Sequence, residues 1–133
     1  KYPTADFDLH ELINKPGCMV PTPSSFYKRE VIEKVGYYDT KGNDYEFLIR
    51  VGKAFSIYRI KKVLSNFRVH KESQTGAKET YKMWLREDYL VSRRHGIRIF
   101  SPRSRGYYKF VIIEGLRPIL GFAYLWVKEV LKR

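Results

Sequence analysis

The chain has 133 residues, a length typical of one compact domain. Its 44% hydrophobic and 16% aromatic residues are enough to build a packed core, which argues against a disordered protein. The net charge of +12 favours anionic partners: nucleic acid, a lipid surface or phosphorylated substrates. A single cysteine, Cys18, excludes an intrachain disulfide and indicates a reducing compartment.

A short helix is predicted near the start of the chain, because Leu9, Leu12 and Ile13 share one helical face. Two extended segments follow, at residues 18–20 and 24–27. Prolines interrupt them, and proline confines a strand to a sheet edge or a bend. Such a strand would suit the wall of a cleft.

Two further helices are predicted next. The first covers residues 28–35 and ends at Gly36, a typical C-terminal cap. The second begins at Asn43, which has the capping-box spacing to Glu46, and ends near Gly52. Its inward-facing residues are predicted to be Phe47, Leu48 and Val51.

Residues 56–60 and 63–69 are short runs rich in β-forming residues and are predicted as strands, and in the second run side chains alternate with the strand period. A helix with an aromatic stripe, from Tyr81 to Tyr89 and extending to His95, is then expected to stop at Gly96. A group of cations, which we call the basic belt, lies between residues 81 and 109. Its members are Lys82, Arg86, Arg93, Arg94, Arg98, Arg103, Arg105 and Lys109.

The composition becomes apolar after residue 106, and Pro118 is expected to begin a fresh helix there. The longest uncharged stretch is too short to span a bilayer, which needs about 20 residues. With its tyrosines and the upstream cations, the segment suits the membrane interface. Docking on protein, as a core helix, is an equal alternative.

Asp44 is the candidate for acid–base chemistry, because it lies at the start of the helix that is predicted to begin at Asn43. Backbone N–H groups at a helix start keep a carboxylate ionised and oriented, as a general base requires. The alternative is that Asp44 only caps its helix. Capping by Asn43 and Glu46 would leave Asp44 free for the first role.

The order of motifs over about residues 6–100 resembles the acceptor-side half of family 2 glycosyltransferases. The resemblance rests on Phe7-Asp-Leu-His-Glu-Leu-Ile-Asn14, residues 21–27, Lys28-Arg29-Glu30, Val35-Gly-Tyr-Tyr-Asp39, Asn43-Asp44, Leu48-Ile-Arg50 and Arg68-Val-His-Lys-Glu-Ser-Gln74. The family more often has Glu-Asp or Met-Asp where Asn43-Asp44 stands, so the acceptor pocket is expected to be unusual.

This resemblance implies a mixed, helix-rich α/β fold: a partial GT-A fold that lacks the N-terminal nucleotide-binding half. Residues 1–105 would form the acceptor-side part, and residues 106–133 an amphipathic or apolar helical segment. Because the chain begins at Lys1 without a methionine or signal peptide, we expect a piece of a longer protein. Asp6 and Asp8 have the Asp-x-Asp spacing of the family's metal-binding motif. No strand precedes them, however, and they are interpreted as solvated residues.

By the same resemblance, Asp44 would be the catalytic base, and several other residues would bind substrate. These are Ser24, Ser25, Tyr27, Arg50, Arg68 and His70. His70 is also the one candidate here for contact with a metal, although a lone histidine is more often structural. Arg50 and Arg68 are more simply interpreted as ion-pair partners within the chain, Arg50 with Glu46 at helical spacing. The full-length enzyme is expected to use Mg²⁺ or Mn²⁺, with none bound to this fragment.

The implied activity is inverting transfer of a sugar from a nucleotide sugar to a glycan or lipid-linked acceptor, in which the isolated fragment would be inactive. We expect a cytoplasmic protein, peripherally bound to anionic membrane, that self-associates through an exposed apolar face and does not bind nucleic acid. Two alternatives stay open. One is a nucleic-acid-binding domain using the basic belt, and the other is an interaction module with a docking C-terminal helix.

Overall fold

The computed structural model describes residues 6–17, 20–38, 44–66 and 78–130, and within these ranges the regular structure is entirely helical. Five α-helices and one short 3₁₀ helix occur in them. The α-helices are α1 (Leu9–Asn14), α2 (Arg29–Val35), α3 (Asp44–Ala54), α4 (Lys78–Arg94) and α5 (Pro102–Val130). The 3₁₀ helix covers Thr22–Ser24.

The mixed α/β prediction, with its partial GT-A fold, is wrong for this chain. No strand occurs in the described ranges, whereas that fold requires a central sheet. Residues 56–60 and 63–66, predicted as strands, form no strand with any described part of the chain; residues 67–69 lie outside the described residues. Alternating apolar and polar residues indicate only that one side of a segment is buried. To form a strand, the segment also needs a neighbouring strand that accepts and donates its backbone hydrogen bonds. Ser25 is likewise extended (φ −98°, ψ 137°) without a ladder.

The first two helices have defined ends, of which only the Gly36 end of the second was predicted. Asp8 caps α1, and its Oδ1 accepts a hydrogen bond from the Glu11 N–H at 2.9 Å. Gly36 follows α2 with a φ of +77°, a value that favours glycine, and its N–H bonds to the Ile32 carbonyl. The predicted helix over residues 28–35 is therefore confirmed to within one residue.

Helix α3 is the centre of the fold and is longer than predicted. It passes through Gly52 and ends at Ala54. The missing side chain at Gly52 makes room for Phe7 and Leu9, because an added Cβ would lie 2.5 Å from Phe7 Cζ. Glycine here permits close packing and does not end the helix.

Two apolar clusters lie on either side of α3. Towards α1 and α4, it buries Tyr45, Leu48 and Ile49. Towards α2, it buries Phe47 and Val51. The remaining buried members are Leu12, Ile13 and Val91 in the first cluster and Val31 in the second.

Helices α4 and α5 form a hairpin at the other end of the chain. Helix α4 ends before Gly96, whose φ of +86° fits the predicted stop. The prediction that Pro118 begins a fresh helix is wrong, since α5 continues through it. A proline removes one intrahelical hydrogen bond. In an exposed helix the loss of this bond does not end the helix. No helix in the described ranges is long and apolar enough to cross a bilayer.

Candidate functional site

Asp44 lies in the first turn of α3, half-exposed, and meets the proline-rich segment at residues 21–25. The Thr22 hydroxyl donates a hydrogen bond to Asp44 Oδ2 at 2.7 Å. No residue in the described ranges forms an ion pair with this carboxylate. Asn43, the other half of the predicted capping box, lies outside the described residues. Asp44 is therefore oriented by a hydroxyl, and no cation of the described residues neutralises its charge.

A buried ion pair lies on the α4–α5 side of Asp44. The guanidinium of Arg103, 2% exposed, donates to Asp88 Oδ2 at 2.9 Å. Its Nη2 also donates to the carbonyls of Leu12 (3.1 Å) and Lys15 (2.6 Å). The Tyr45 ring lies 4.4 Å from Arg103 Cζ and covers one face of the guanidinium.

The pKa of Asp88 shows that these acidic groups are electrostatically coupled. Burial raises this pKa above its ordinary value, and the charges of Asp44 and Glu87 raise it further. Arg103 opposes the shift through its charge and its hydrogen bond. The Asp44 carboxylate thus lies within electrostatic reach of the half-buried Asp88 carboxylate, which already has its own cation.

The three substrate-binding candidates on the proline-rich segment have contacts within the chain. The hydroxyls of Ser24 and Ser25 donate to the Pro21 carbonyl, at 3.3 and 3.0 Å. Tyr27 packs edge-on against the buried Phe47, with ring centroids 5.3 Å apart. These contacts shape the segment that presents Thr22, and none of them joins Ser24, Ser25 or Tyr27 to Asp44.

Arg50 ties α3 to the end of α2. Its Nε donates to both Glu46 oxygens, at 3.1 and 2.8 Å, which confirms the ion pair predicted from helical spacing. Its Nη1 donates to the Val35 carbonyl, and its Nη2 donates to the Tyr37 carbonyl at 2.9 Å. All three guanidinium nitrogens therefore already have acceptors within the chain.

The remaining site predictions are not placed by the structure. Arg68 and His70 lie outside the described residues. Within the described ranges, no three histidine, cysteine or acidic side chains come together as a metal ion would require. Asp6 instead pairs with Arg59 at 3.2 Å, and Asp8 caps α1. These residues do not fit a divalent metal, so no chemical step is assigned to one.

The basic belt divides into buried and exposed members. Arg103 belongs to the basic belt by sequence, but it is buried and paired with Asp88. Lys82 pairs with Glu114 at 3.2 Å. The exposed members are Arg86, Arg93, Arg94, Arg98, Arg105 and Lys109.

A separate open groove of about 350 Å³ lies between α4, α5 and the turn that joins them. Its lining residues are Tyr89, Arg93, Ile97, Ile99, Ser104 and Tyr108. The Tyr89 hydroxyl donates to that of Tyr108 at 3.2 Å, and this hydrogen bond, together with burial, raises the pKa of Tyr89. Asp44 does not line this groove.

Sequence reasoning missed Thr22 and the Asp88–Arg103 pair. A threonine between two prolines gave a usable signal, because such a position is held in an extended or turn conformation with its hydroxyl exposed. The pairing of Asp88 with Arg103 had no local signal, since their 15-residue separation crosses the turn between two helices.

Comparison of the chain with known proteins finds no matching family model, no matching curated protein and no matching solved structure.

Proposed function

We propose that this chain is the acceptor-side part of an inverting glycosyltransferase related to family 2, with Asp44 as its catalytic base. The observation that carries the proposal is the pairing of Asp44 with Thr22 at 2.7 Å. It brings together the proline-rich segment and the acidic helix start, the two motifs at the centre of the resemblance.

The proposed reaction assigns each bond change to a group. The Asp44 carboxylate accepts the proton of an acceptor hydroxyl as that oxygen attacks the anomeric carbon of the donor sugar. The bond from the sugar to the nucleoside diphosphate breaks on the opposite face, so the anomeric configuration inverts. Thr22 bonds to Oδ2 and so leaves Oδ1 oriented to receive the proton.

The donor-binding part of such an enzyme must come from segments other than the described residues. These residues contain no metal cluster and no sheet, and the proposal assigns them only the acceptor and the base. A cytoplasmic location and peripheral attachment to an anionic membrane belong to the same proposal, because the exposed cations would concentrate the enzyme near acidic lipid.

The test is turnover of the complete protein that contains this chain, measured as nucleoside diphosphate released from a panel of nucleotide sugars with glycan and lipid-linked acceptors. We expect Asp44→Asn to lower kcat by about 10²- to 10⁴-fold, the usual contribution of a general base. Thr22→Val keeps the carboxylate but removes its orienting hydrogen bond, and a loss of about tenfold is expected.

Glu33→Gln is the matched control, because this carboxylate on α2 is exposed and forms no ion pair or hydrogen bond with Thr22 or Asp44. It should retain the turnover of the wild type. All variants are checked for native circular dichroism. Near-normal turnover of Asp44→Asn would remove Asp44 from the mechanism, and no release from any nucleotide sugar by the wild type would refute the proposed activity.

A further inference from the structure

The turn between α4 and α5 exposes two large apolar side chains side by side. Phe100 is 83% exposed and Ile99 is 67% exposed. Together they form what we call the apolar tip. Two adjacent side chains of this size, turned into solvent on one tight turn, indicate a contact surface.

Hydrogen bonds of buried polar groups fix the conformation of the turn that carries the apolar tip. The Ser101 N–H closes the turn by donating to the Arg98 carbonyl at 3.0 Å, and the Ser104 hydroxyl donates to the same oxygen at 2.8 Å. The Arg98 N–H donates to Asn14 Oδ1 at 2.9 Å. Ser101, Ser104 and Asn14 are all buried. The turn is therefore fixed by satisfied hydrogen bonds, and its two apolar residues are presented by a rigid support.

Cations flank the apolar tip on both sides in the sequence. Residues 89–113 contain no acidic residue. The exposed cations of this segment lie in the last turn of α4, in the turn itself and in the first turns of α5; they are Arg93, Arg94, Arg98, Arg105 and Lys109.

We propose that the apolar tip inserts into the surface of an anionic lipid bilayer while the flanking cations bind lipid phosphates. Apolar side chains gain free energy at the boundary between headgroups and acyl chains, and each nearby Lys or Arg adds electrostatic attraction to acidic lipid. The inference refines the membrane attachment included in the proposed function, and it does not depend on the sugar chemistry.

Two other occupants fit the apolar tip less well. A second copy of the chain, docked through the same surface, would bring two sets of five exposed cations together. A nucleic acid would use the cations and could stack on Phe100, but it offers no apolar medium for Ile99. An anionic bilayer satisfies both the charges and the apolar pair.

The neighbouring groove has room for a lipid headgroup. Ile99 belongs to both the groove and the apolar tip, so the groove opens where the tip enters the lipid. Arg93 lines it and forms no ion pair within the described residues. Its guanidinium is thus placed to bind a phosphate, and the Tyr108 hydroxyl is a second donor.

The experiment is vesicle flotation of the complete chain, with vesicles of phosphatidylcholine and phosphatidylglycerol in equal amounts and with vesicles of phosphatidylcholine alone. Binding is expected only to the first, and to weaken as salt is raised. Ile99→Ser and Phe100→Ser should each weaken it about tenfold, and Arg94→Gln with Arg105→Gln about fivefold per charge removed. Phe26→Ser, at a residue 78% exposed elsewhere, is the matched control and should bind like the wild type.

Insertion itself is measured with lipids brominated in their acyl chains. The probe is Phe100→Trp, made in a chain whose two native tryptophans, Trp84 and Trp126, are replaced by phenylalanine. Its fluorescence should be quenched, whereas that of Tyr58→Trp, at a residue 85% exposed, should not. Equal binding by wild type and Phe100→Ser would overturn the proposal, as would tighter binding to oligonucleotides than to acidic vesicles. Asp44→Asn should bind vesicles normally, and Phe100→Ser should turn over a soluble acceptor normally, so failures of the two proposals are distinguishable.

Discussion

Polar side chains that reach backbone carbonyls join the helices of this protein at their ends. The last carbonyls of a helix have no partner within it, and a cationic donor there also complements the helix dipole. Arg103 and the Tyr45 hydroxyl both donate to the Leu12 carbonyl near the end of α1. Arg50 does the same for Val35 at the end of α2. Helices of six and seven residues are stabilised here by donors from other helices.

Of these donors, spacing in the sequence identifies only one contact. Arg50 lies four residues after Glu46, and their ion pair follows from helical geometry. The partners of Arg103 are up to 91 residues away, so its place in the core is set by tertiary packing alone. From the sequence alone, a cation in a basic segment is interpreted as a surface residue. Only the packing of α5 against α4 shows that Asp88 is the partner of Arg103.

His95 gives the fold a pH dependence that can be measured. The Lys53 ammonium, which can only donate, lies 2.9 Å from His95 Nδ1, so the ring is neutral with its proton on Nε2. Burial and the Lys53 charge lower the pKa of His95 below its ordinary 6.5, against the opposing charge of Glu46. The unfolded chain therefore binds a proton more readily than the folded one.

From this we expect the free energy of unfolding to be larger above pH 6.5 and to fall as pH drops through the lowered pKa of His95. Urea titrations on either side of pH 6.5 measure it. His95→Gln keeps a polar group without the titration and should flatten the profile. His10→Gln, at an exposed histidine, should leave the profile unchanged; a profile that persists in His95→Gln would contradict the assignment.

At the scale of elements, helix positions could be predicted from the sequence, but whether a strand-like segment forms a strand could not. Apolar periodicity, Gly36 and Gly96 located α2 and the end of α4, because these signals act within one helix. A strand depends on a partner elsewhere in the chain, so residues 63–66 have the correct alternation and still form no strand in the described ranges. The prediction that α3 ends near Gly52 failed for a related reason. The side chains that occupy the space beside Gly52 belong to Phe7 and Leu9, which lie far earlier in the chain.

Gly52→Ala should destabilise the protein although alanine favours helix. In an open helical position the change gains about 1 kcal/mol. Here the new Cβ would lie 2.5 and 2.9 Å from two atoms of the Phe7 ring and 3.2 Å from Leu9 Cδ1. We expect a net loss of about 1–2 kcal/mol, read as a lower urea midpoint at an unchanged slope.

Gly106→Ala on α5 is the matched control, because nothing lies within 4 Å of its added Cβ. It should be stabilising. Phe7→Leu combined with Gly52→Ala should recover part of the loss by removing the clashing ring. If Gly52→Ala alone raises the midpoint as Gly106→Ala does, the close packing of Phe7 on α3 is wrong.

On the scale of the whole molecule, charge and apolar exposure oppose one another. The net charge of +12 makes copies of the chain repel. Helix α5 nevertheless exposes a series of large apolar side chains: Val111, Ile112, Ile113, Leu116 and Leu120. A helix with apolar residues exposed on more than one face requires another surface to cover it.

We therefore expect the chain to self-associate through α5, and more strongly at high salt, because screening removes the repulsion and leaves apolar burial unchanged. This is the opposite sign from the salt dependence of lipid binding at the apolar tip. Sedimentation velocity over a range of protein and salt concentrations measures it. Ile112→Glu with Leu116→Glu, at residues 58% and 45% exposed, should yield monomer and still bind acidic vesicles, whereas Phe100→Ser should associate normally. A clean monomer at high protein and salt concentration would refute self-association through α5.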